Sequence, residues 1–419
     1  LKFSAGIASD DYMKTHPRLL LPFLTVTLLA TAATTRALDW PNWRGPDLNG
    51  ISRETGWTTR WPKEGPPQLW KAQVGIGFSS VAVARGRLFT IGNVDGTDTV
   101  FALDAETGKE LWKHSYLCPI DPTYYEGGPG STPTVDGGDV YTLSKHGHLF
   151  RFHAEDGKVI WQKNLMEELG VAKPRWGFSS SPLVQGGLLL LNVGSAGTAV
   201  EKADGKIAWT SGREASGYAT LTPFDIGGEP SVAIFTAKAL TGVRIKDGTA
   251  LWRHPWLTKW DINICTPILI NGGLFISSFD CGSALLRLGA SEPTVVWENR
   301  NIANHFNSCI LLDGHLYGVH GNTDQAERDL RCLDARTGEL KWKHEGLGLG
   351  SLLAADGKLI VLSDKGELVV APVSPTGFHP QAQAQVMGGK CWTVPVLANG
   401  RIYCRNAQGV LICLDVRSK

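Results

Sequence analysis

The sequence carries no excess of either charge. Its 41 Lys and Arg stand against 40 Asp and Glu, for a formal net charge of +1, and no long run of one sign occurs. Such a surface does not attract a polyanion, so nucleic acid is set aside as a partner. No CxxC and no adjacent Cys pair occurs among Cys118, Cys265, Cys281, Cys309, Cys332, Cys391, Cys404 and Cys413. Eight cysteines in an exported chain allow 105 pairings, but a chain this long needs no staples, and most are expected to be buried small apolar residues. Helical periodicity is almost missing, apart from a short turn at Leu165–Leu169, and no Gly-rich phosphate loop precedes a helix. Residues 77–81 (GFSSV) and 177–181 (GFSSS) lack the G-x-S-x-G spacing of a nucleophile elbow and read as copies of one strand start.

A membrane-length apolar run is also missing. The longest, residues 19–33 (LLLPFLTVTLLATAA), is interrupted by Pro22 and preceded by Lys14, His16 and Arg18. Residue 1 is Leu, and Met13 is the better candidate start. A basic stretch, a short apolar core and small residues permitting cleavage after Ala32 or Ala37 make a secretory signal peptide, with no nearby Cys for a lipid anchor. The mature protein is therefore expected in the periplasm or outside the cell, with no transmembrane anchor after cleavage.

What is present is a repeat. Residues 102–112 (ALDAETGKELW) return at 152–161 (FHAEDGKVIW), 200–209 (VEKADGKIAW), 243–252 (VRIKDGTALW) and 332–342 (CLDARTGELKW), with a looser copy at 285–297 (LLRLGASEPTVVW). Each is a β-hairpin: an alternating strand, a polar turn closed by a Gly able to take positive φ, and a second strand ending on a Trp. The Trp is large enough to wedge against a neighbouring unit, a role that falls to Trp70, Trp112, Trp161, Trp209, Trp252, Trp297 and Trp342. From Trp112 onward the spacings are 49, 48, 43, 45 and 45 residues. A period of that size with four short strands per unit means the blades of a propeller. The 42% hydrophobic content is ample for a full core.

Residues 1–37 are upstream sequence and signal peptide, 38–67 an irregular segment rich in turn formers and Trp, and 68–419 the propeller. Units begin at Ser79, Ser131, Ser180, Thr220, Cys265, Asn307, Ser351 and Thr393. The seventh lacks the terminal Trp, and the eighth has only three strands before the chain stops. The missing strand is available at 68–74 (QLWKAQV), and pairing it there closes the ring and removes the exposed edges. The expected fold is all-β: an eight-bladed propeller of four-stranded antiparallel blades.

The A-x-D-x-x-T-G-K-x-x-W pattern of residues 102–112 resembles the repeat of pyrroloquinoline-quinone-type (PQQ-like) β-propellers, and 40–50 (WPNWRGPDLNG) resembles the opening segment of a secreted bacterial branch of them. The superfamily contains quinone-dependent dehydrogenases and an outer-membrane assembly scaffold, so the resemblance implies the fold more sharply than the function. Two functions of different class follow. One is a non-catalytic binding or scaffold protein of the envelope; the other is a PQQ-dependent oxidoreductase acting on an alcohol or sugar. The second needs a quinone between stacking rings, a Ca²⁺ and an Asp base, and no residue here matches the calcium or base positions. Neither a catalytic set nor a metal set is assigned.

Asp104, Asp156, Asp204, Asp247 and Asp334 recur with the turns and read as turn caps. His114, His254 and His344 each follow a wedge Trp by two positions and read as packing. His146 and His148 share one hairpin tip but lack a third metal ligand. The residues outside the repeat carry more information. Tyr124, Tyr125, Trp176, Tyr218, Asn263, His305, Asn307, Lys390 and Trp392 lie on connections between units, which gather at one mouth of the central channel. Aromatics with a few amides, one His and one Lys suit a small polar ligand or an envelope protein, taken up by a monomer. Capping of the blades is the alternative role for Trp176 and Trp392, alongside ligand contact.

Overall fold

The computed structural model describes residues 38–289 and 292–418. The apolar stretch at 19–33 and its expected cleavage points lie outside the described residues. Strands of two to eight residues make eight sheets, seven with four strands and one with five. Blade 1 spans Ala82–Ala84 to Glu110–Leu117, and blades 2 to 7 follow in chain order. Blade 8 takes Val396–Ala398, Arg401–Arg405 and Val410–Asp415, and its fourth strand is Gln68–Gln73, paired antiparallel with Val410–Asp415. The ring is thus closed by the two ends of the chain, as the strand count requires. Leu165–Leu169 is a single helical turn, capped at its start by the Asn164 side chain.

The wedge works through a register shift. In blade 1, Trp112 pairs with Ala102 and Glu110 with Leu103, so Leu111 is left over as a bulge. The same shift accompanies Trp70, Trp161, Trp209, Trp252, Trp297 and Trp342. A bulge bends the strand and re-aims the next side chain. Here it turns the indole onto the neighbouring blade and leaves Leu69, Leu111, Ile160 and Val296 exposed. The strand does not end on the Trp, as the repeat pattern suggests; it runs on for one to five residues more.

Six of the seven indoles donate to the third turn of the next blade, and Trp252 Nε1 has no partner among the described residues. Trp112 Nε1 donates to Ala154 O at 3.0 Å, Trp70 to Ala105 O at 3.2 Å, and Trp209 to Ile245 O at 2.8 Å. A Cβ on Gly157 would stand 2.5 Å from the Trp112 ring, so this glycine serves close approach as well as its φ of +73°. The turn Asp, as in Asp104 accepting from Thr107 N at 2.8 Å, caps its own hairpin.

Strand alternation puts the connections between blades and the second-to-third strand turns at one end of the ring, here the loop face. The remaining turns lie at the other end, the turn face. Around the channel, the starts of the inner strands are tied by hydroxyls. Ser80 N donates to Thr132 Oγ1 (3.2 Å), Thr132 N to Ser181 Oγ (3.0 Å), Ser181 N to Thr220 Oγ1 (3.0 Å) and Thr266 N to Ser308 Oγ (2.8 Å). The Ser-rich strand starts are a blade-to-blade belt.

Residues 38–54 fill the channel. Trp40 exchanges both backbone hydrogen bonds with Val83 at 2.8 Å, and Val135 N donates to Pro41 O at 2.7 Å. Leu48 packs on the cluster holding Leu183 and Leu221, and Trp43 Nε1 donates to Thr266 Oγ1 at 3.1 Å. Arg44 donates to Cys309 O at 2.9 Å, Ile51–Ser52 lies parallel beside Ala354 and Ala355, and Ser52 Oγ donates to Leu397 O at 3.0 Å. One segment therefore touches the inner strands from blade 1 round to blade 8. It enters and leaves at the turn face, where Leu38 N donates to Asn399 Oδ1 at 2.9 Å and Glu54 accepts from the N–H groups of Asn399 and Gly400.

Candidate functional site at the loop face

The connections at the loop face bring rings from distant parts of the chain into one column. Phe279 lies 4.6 Å from His305, His305 4.0 Å from Phe306, and Phe306 4.0 Å from Trp392, all near-parallel. Phe78 follows at 5.7 Å from Trp392, and Tyr125 at 5.7 Å from Phe78. These rings come from blade 5 and from the connections 5-to-6, 7-to-8, 8-to-1 and 1-to-2. Tyr125 Oη then donates to Trp176 O at 3.4 Å, and Trp176 N donates to Tyr218 Oη at 3.4 Å. The result is an aromatic floor across the mouth. Burial between Phe279 and Phe306 pushes the His305 imidazole down to about 4, so it is neutral at physiological pH.

Cations ride on this floor. Lys390 Nζ stands 4.4 Å from the Trp392 ring centre and 2.9 Å from Glu126 Oε2, so an ion pair crosses from the 7-to-8 to the 1-to-2 connection. Lys145 is buried, sits 5.2 Å from the Tyr125 ring centre and donates to Tyr125 Oη at 2.9 Å. Arg175 is held between Trp176 (5.3 Å) and Trp260 (4.4 Å). Trp260 is half-exposed and has a φ of +69°, a strained setting for an aromatic residue. Tyr124, also at φ +69°, is 82% exposed and stands clear of the column.

The residues singled out from the sequence divide by role. Tyr125, Trp176, Tyr218, His305, Lys390 and Trp392 meet at the mouth. Asn263 is fully buried and its amide is spent on Thr236 O, Ala237 O and Ser278 Oγ, so it staples its own connection. Asn307 donates to Gly350 O at 2.9 Å within the channel wall. Phe78, Phe279, Phe306, Lys145, Arg175 and Trp260 join the mouth residues at the loop face. Only the proximity of Phe306 to His305, and of Arg175 to Trp176, hints at them in the sequence. The rings of His146 and His148 turn to different partners, Pro119 O (3.1 Å) and Ser144 Oγ (3.0 Å). His114 packs on Phe150 and Phe152, and His344 on Phe378.

A quinone with Ca²⁺ does not fit this arrangement. A planar cofactor between two rings needs them about 7 Å apart, two van der Waals contacts, whereas Phe306 and Trp392 are already in contact. Against the plug the channel keeps a cavity of ≈ 20 Å³, bounded by Trp43, Arg44, Ser80, Thr132 and Ser308. That is room on the scale of a water, far below a cofactor site. Among the described residues, no group of three His, Cys, Asp or Glu is placed to hold a metal ion. None of the cysteines is disulfide-bonded; seven are buried and Cys281 is half-buried.

A family described as outer membrane protein assembly factor BamB matches residues 48–164 and 122–343. The chain is 24% identical over 365 residues to outer membrane protein assembly factor BamB of Yersinia pestis, covering 83% of this chain and 77% of that one. It is 23% identical over 311 residues to the same-named protein of Escherichia coli K12, covering 68% and 73%. Among solved structures, BamB from Moraxella catarrhalis superposes with a TM-score of 0.63 at 14% identity, over 84% of this chain and 99% of that one. Quinohemoprotein alcohol dehydrogenase from Comamonas testosteroni superposes with a TM-score of 0.64 at 14% identity, over 91% and 81%. At such identity the likeness of structures is one of fold.

Proposed function

Since the chain belongs to the outer membrane protein assembly factor BamB family, we propose that it is a non-catalytic scaffold of the cell envelope that holds a protein partner at its loop face. The observation that carries this reading is the closed channel. With the plug on one side and the aromatic floor on the other, the described residues leave the end faces and the rim to a partner. The loop face carries cations stacked on half-exposed rings and two aromatic residues at positive φ, Tyr124 and Trp260, features of a contact surface, whereas at the turn face Lys358 stacks on the buried Trp57. The protein acts after export, in the periplasm or outside the cell, as a monomer. Among the described residues no helix is long and apolar enough to cross a membrane.

The test is capture of envelope proteins on the immobilised mature protein, comparing Trp260→Ala and Tyr124→Ala with Lys206→Ala on the turn face. The reading expects one protein band to fall at least about tenfold with the first two and to hold with the third, as for contact hot spots. Equal capture by all three, or a rise in melting temperature with pyrroloquinoline quinone and Ca²⁺, contradicts it.

A further inference from the structure

The cavity on the propeller axis has the chemistry of an anion site. Arg44 enters it from the plug, 7% exposed, and among the described residues no Asp or Glu pairs with it. Its Nε donates to Leu48 O at 3.1 Å, and one terminal nitrogen donates to Asn49 O and Cys309 O, both at 2.9 Å. The other terminal nitrogen, NH1, makes no hydrogen bond to any described residue. Cys265 and Cys309 lie nearby, but burial pushes the Cys309 thiol up to about 12 and holds the Cys265 thiol well above its ordinary value, so neither supplies a negative charge. A guanidinium cannot shed its charge at ordinary pH, and a buried charge without a counter-charge is costly.

Of the remaining polar wall, Ser80 Oγ donates to Val394 O at 2.9 Å, and two other hydroxyls offer protons. Thr132 Oγ1 accepts from Ser80 N and Ser308 Oγ accepts from Thr266 N, and neither hydroxyl's own proton is committed to a described residue. Backbone carbonyls near Arg44 are already used by it. The cavity thus combines one full positive charge with two free hydroxyl donors in ≈ 20 Å³. We propose that a single small monovalent anion of the halide class binds there, held by Arg44, Thr132 and Ser308, and that it is enclosed when the plug seats in the ring.

The direct test is a crystal of the mature protein grown with sodium bromide as the only halide. An anomalous peak within hydrogen-bonding distance of the Arg44 guanidinium is the result expected. A water at that position, or bromide peaks only elsewhere, overturns the proposal. In solution, a ligand that binds the folded state alone raises its melting temperature. Sodium chloride should raise it by about 2–4 °C over sodium gluconate at equal ionic strength. The difference should vanish in Arg44→Met. Should that variant fail to fold, Ser308→Ala and Thr132→Val must each shrink the difference. An unchanged chloride effect in both, or no chloride effect in the parent protein, overturns the proposal.

Discussion

Single residues hold the ring at the points where the repeat cannot. Arg405, fully buried, donates to Ser79 O (2.6 Å), Thr90 Oγ1 (2.8 Å), Ile91 O (2.8 Å) and Gly75 O (3.1 Å), tying blade 8 to blade 1 across the seam. Burial lowers its pKa only to about 9, so it stays charged at neutral pH. Replacing it with Met should cost about 3 kcal/mol or more, the range for a broken buried network, read from urea unfolding. A loss below about 1 kcal/mol would show that the seam does not depend on it. His305 makes a prediction in pH. Its folded pKa of about 4 lies below the ordinary value near 6.5, so the unfolded chain takes up a proton first as the pH falls. Stability is full above about pH 6.5, declines through the window down to about 4, and levels off below it. His320, also near 4, acts in the same direction. His305→Phe keeps the stack and removes one titrating group, so its melting temperature should fall less steeply across that window. An identical slope contradicts the assignment.

At the scale of the hairpin, the sequence was most legible, because the same few residues do the same job about every 45 positions. Trp, turn Asp and turn Gly could be read together, and the bulge behind the Trp could not, since a one-residue register shift leaves no mark on an alternating pattern. Blade 7 shows the rule by its exception: its outer strand Ala382–Gln385 has neither Trp nor bulge. The turn that a Trp there would strike belongs to blade 8, and in blade 8 that place is where the chain ends meet. Gly65 lies there instead, close enough that a Cβ on it would stand 2.9 Å from Ala384 Cβ, and Trp57 and Trp61 join the same core. Trp112→Ala should therefore cost about 3–5 kcal/mol, while Ala384→Trp should destabilise instead of restoring a missing wedge. A stabilising Ala384→Trp would show that the blade 7 seam has room the packing does not reveal.

At the scale of the whole molecule, what escaped the sequence was what occurs once. Residues 38–54 read as part of an irregular segment because turn formers without periodicity carry no direction; their place in the channel depends on partners spread from Val83 to Leu397. The aromatic floor escaped in part for the same reason. Tyr125, Trp176, His305 and Trp392 stood out as unusual connection residues, but Phe78 sat inside a recurring strand start and Phe279 next to a tight turn. Rings 314 positions apart, Phe78 and Trp392, become neighbours only when blades 8 and 1 close. Plug, belt and floor together turn an eight-bladed ring into a solid disc with one differentiated face. We propose that this face meets the partner. It is tested by placing a photo-crosslinking amino acid at Tyr124 or Trp260 on the loop face, and at Lys206 on the turn face, in cells that make the protein. One discrete protein adduct from both loop-face positions and none from Lys206 is the outcome predicted. Adducts from Lys206 alone, or none from either loop-face position, would contradict it.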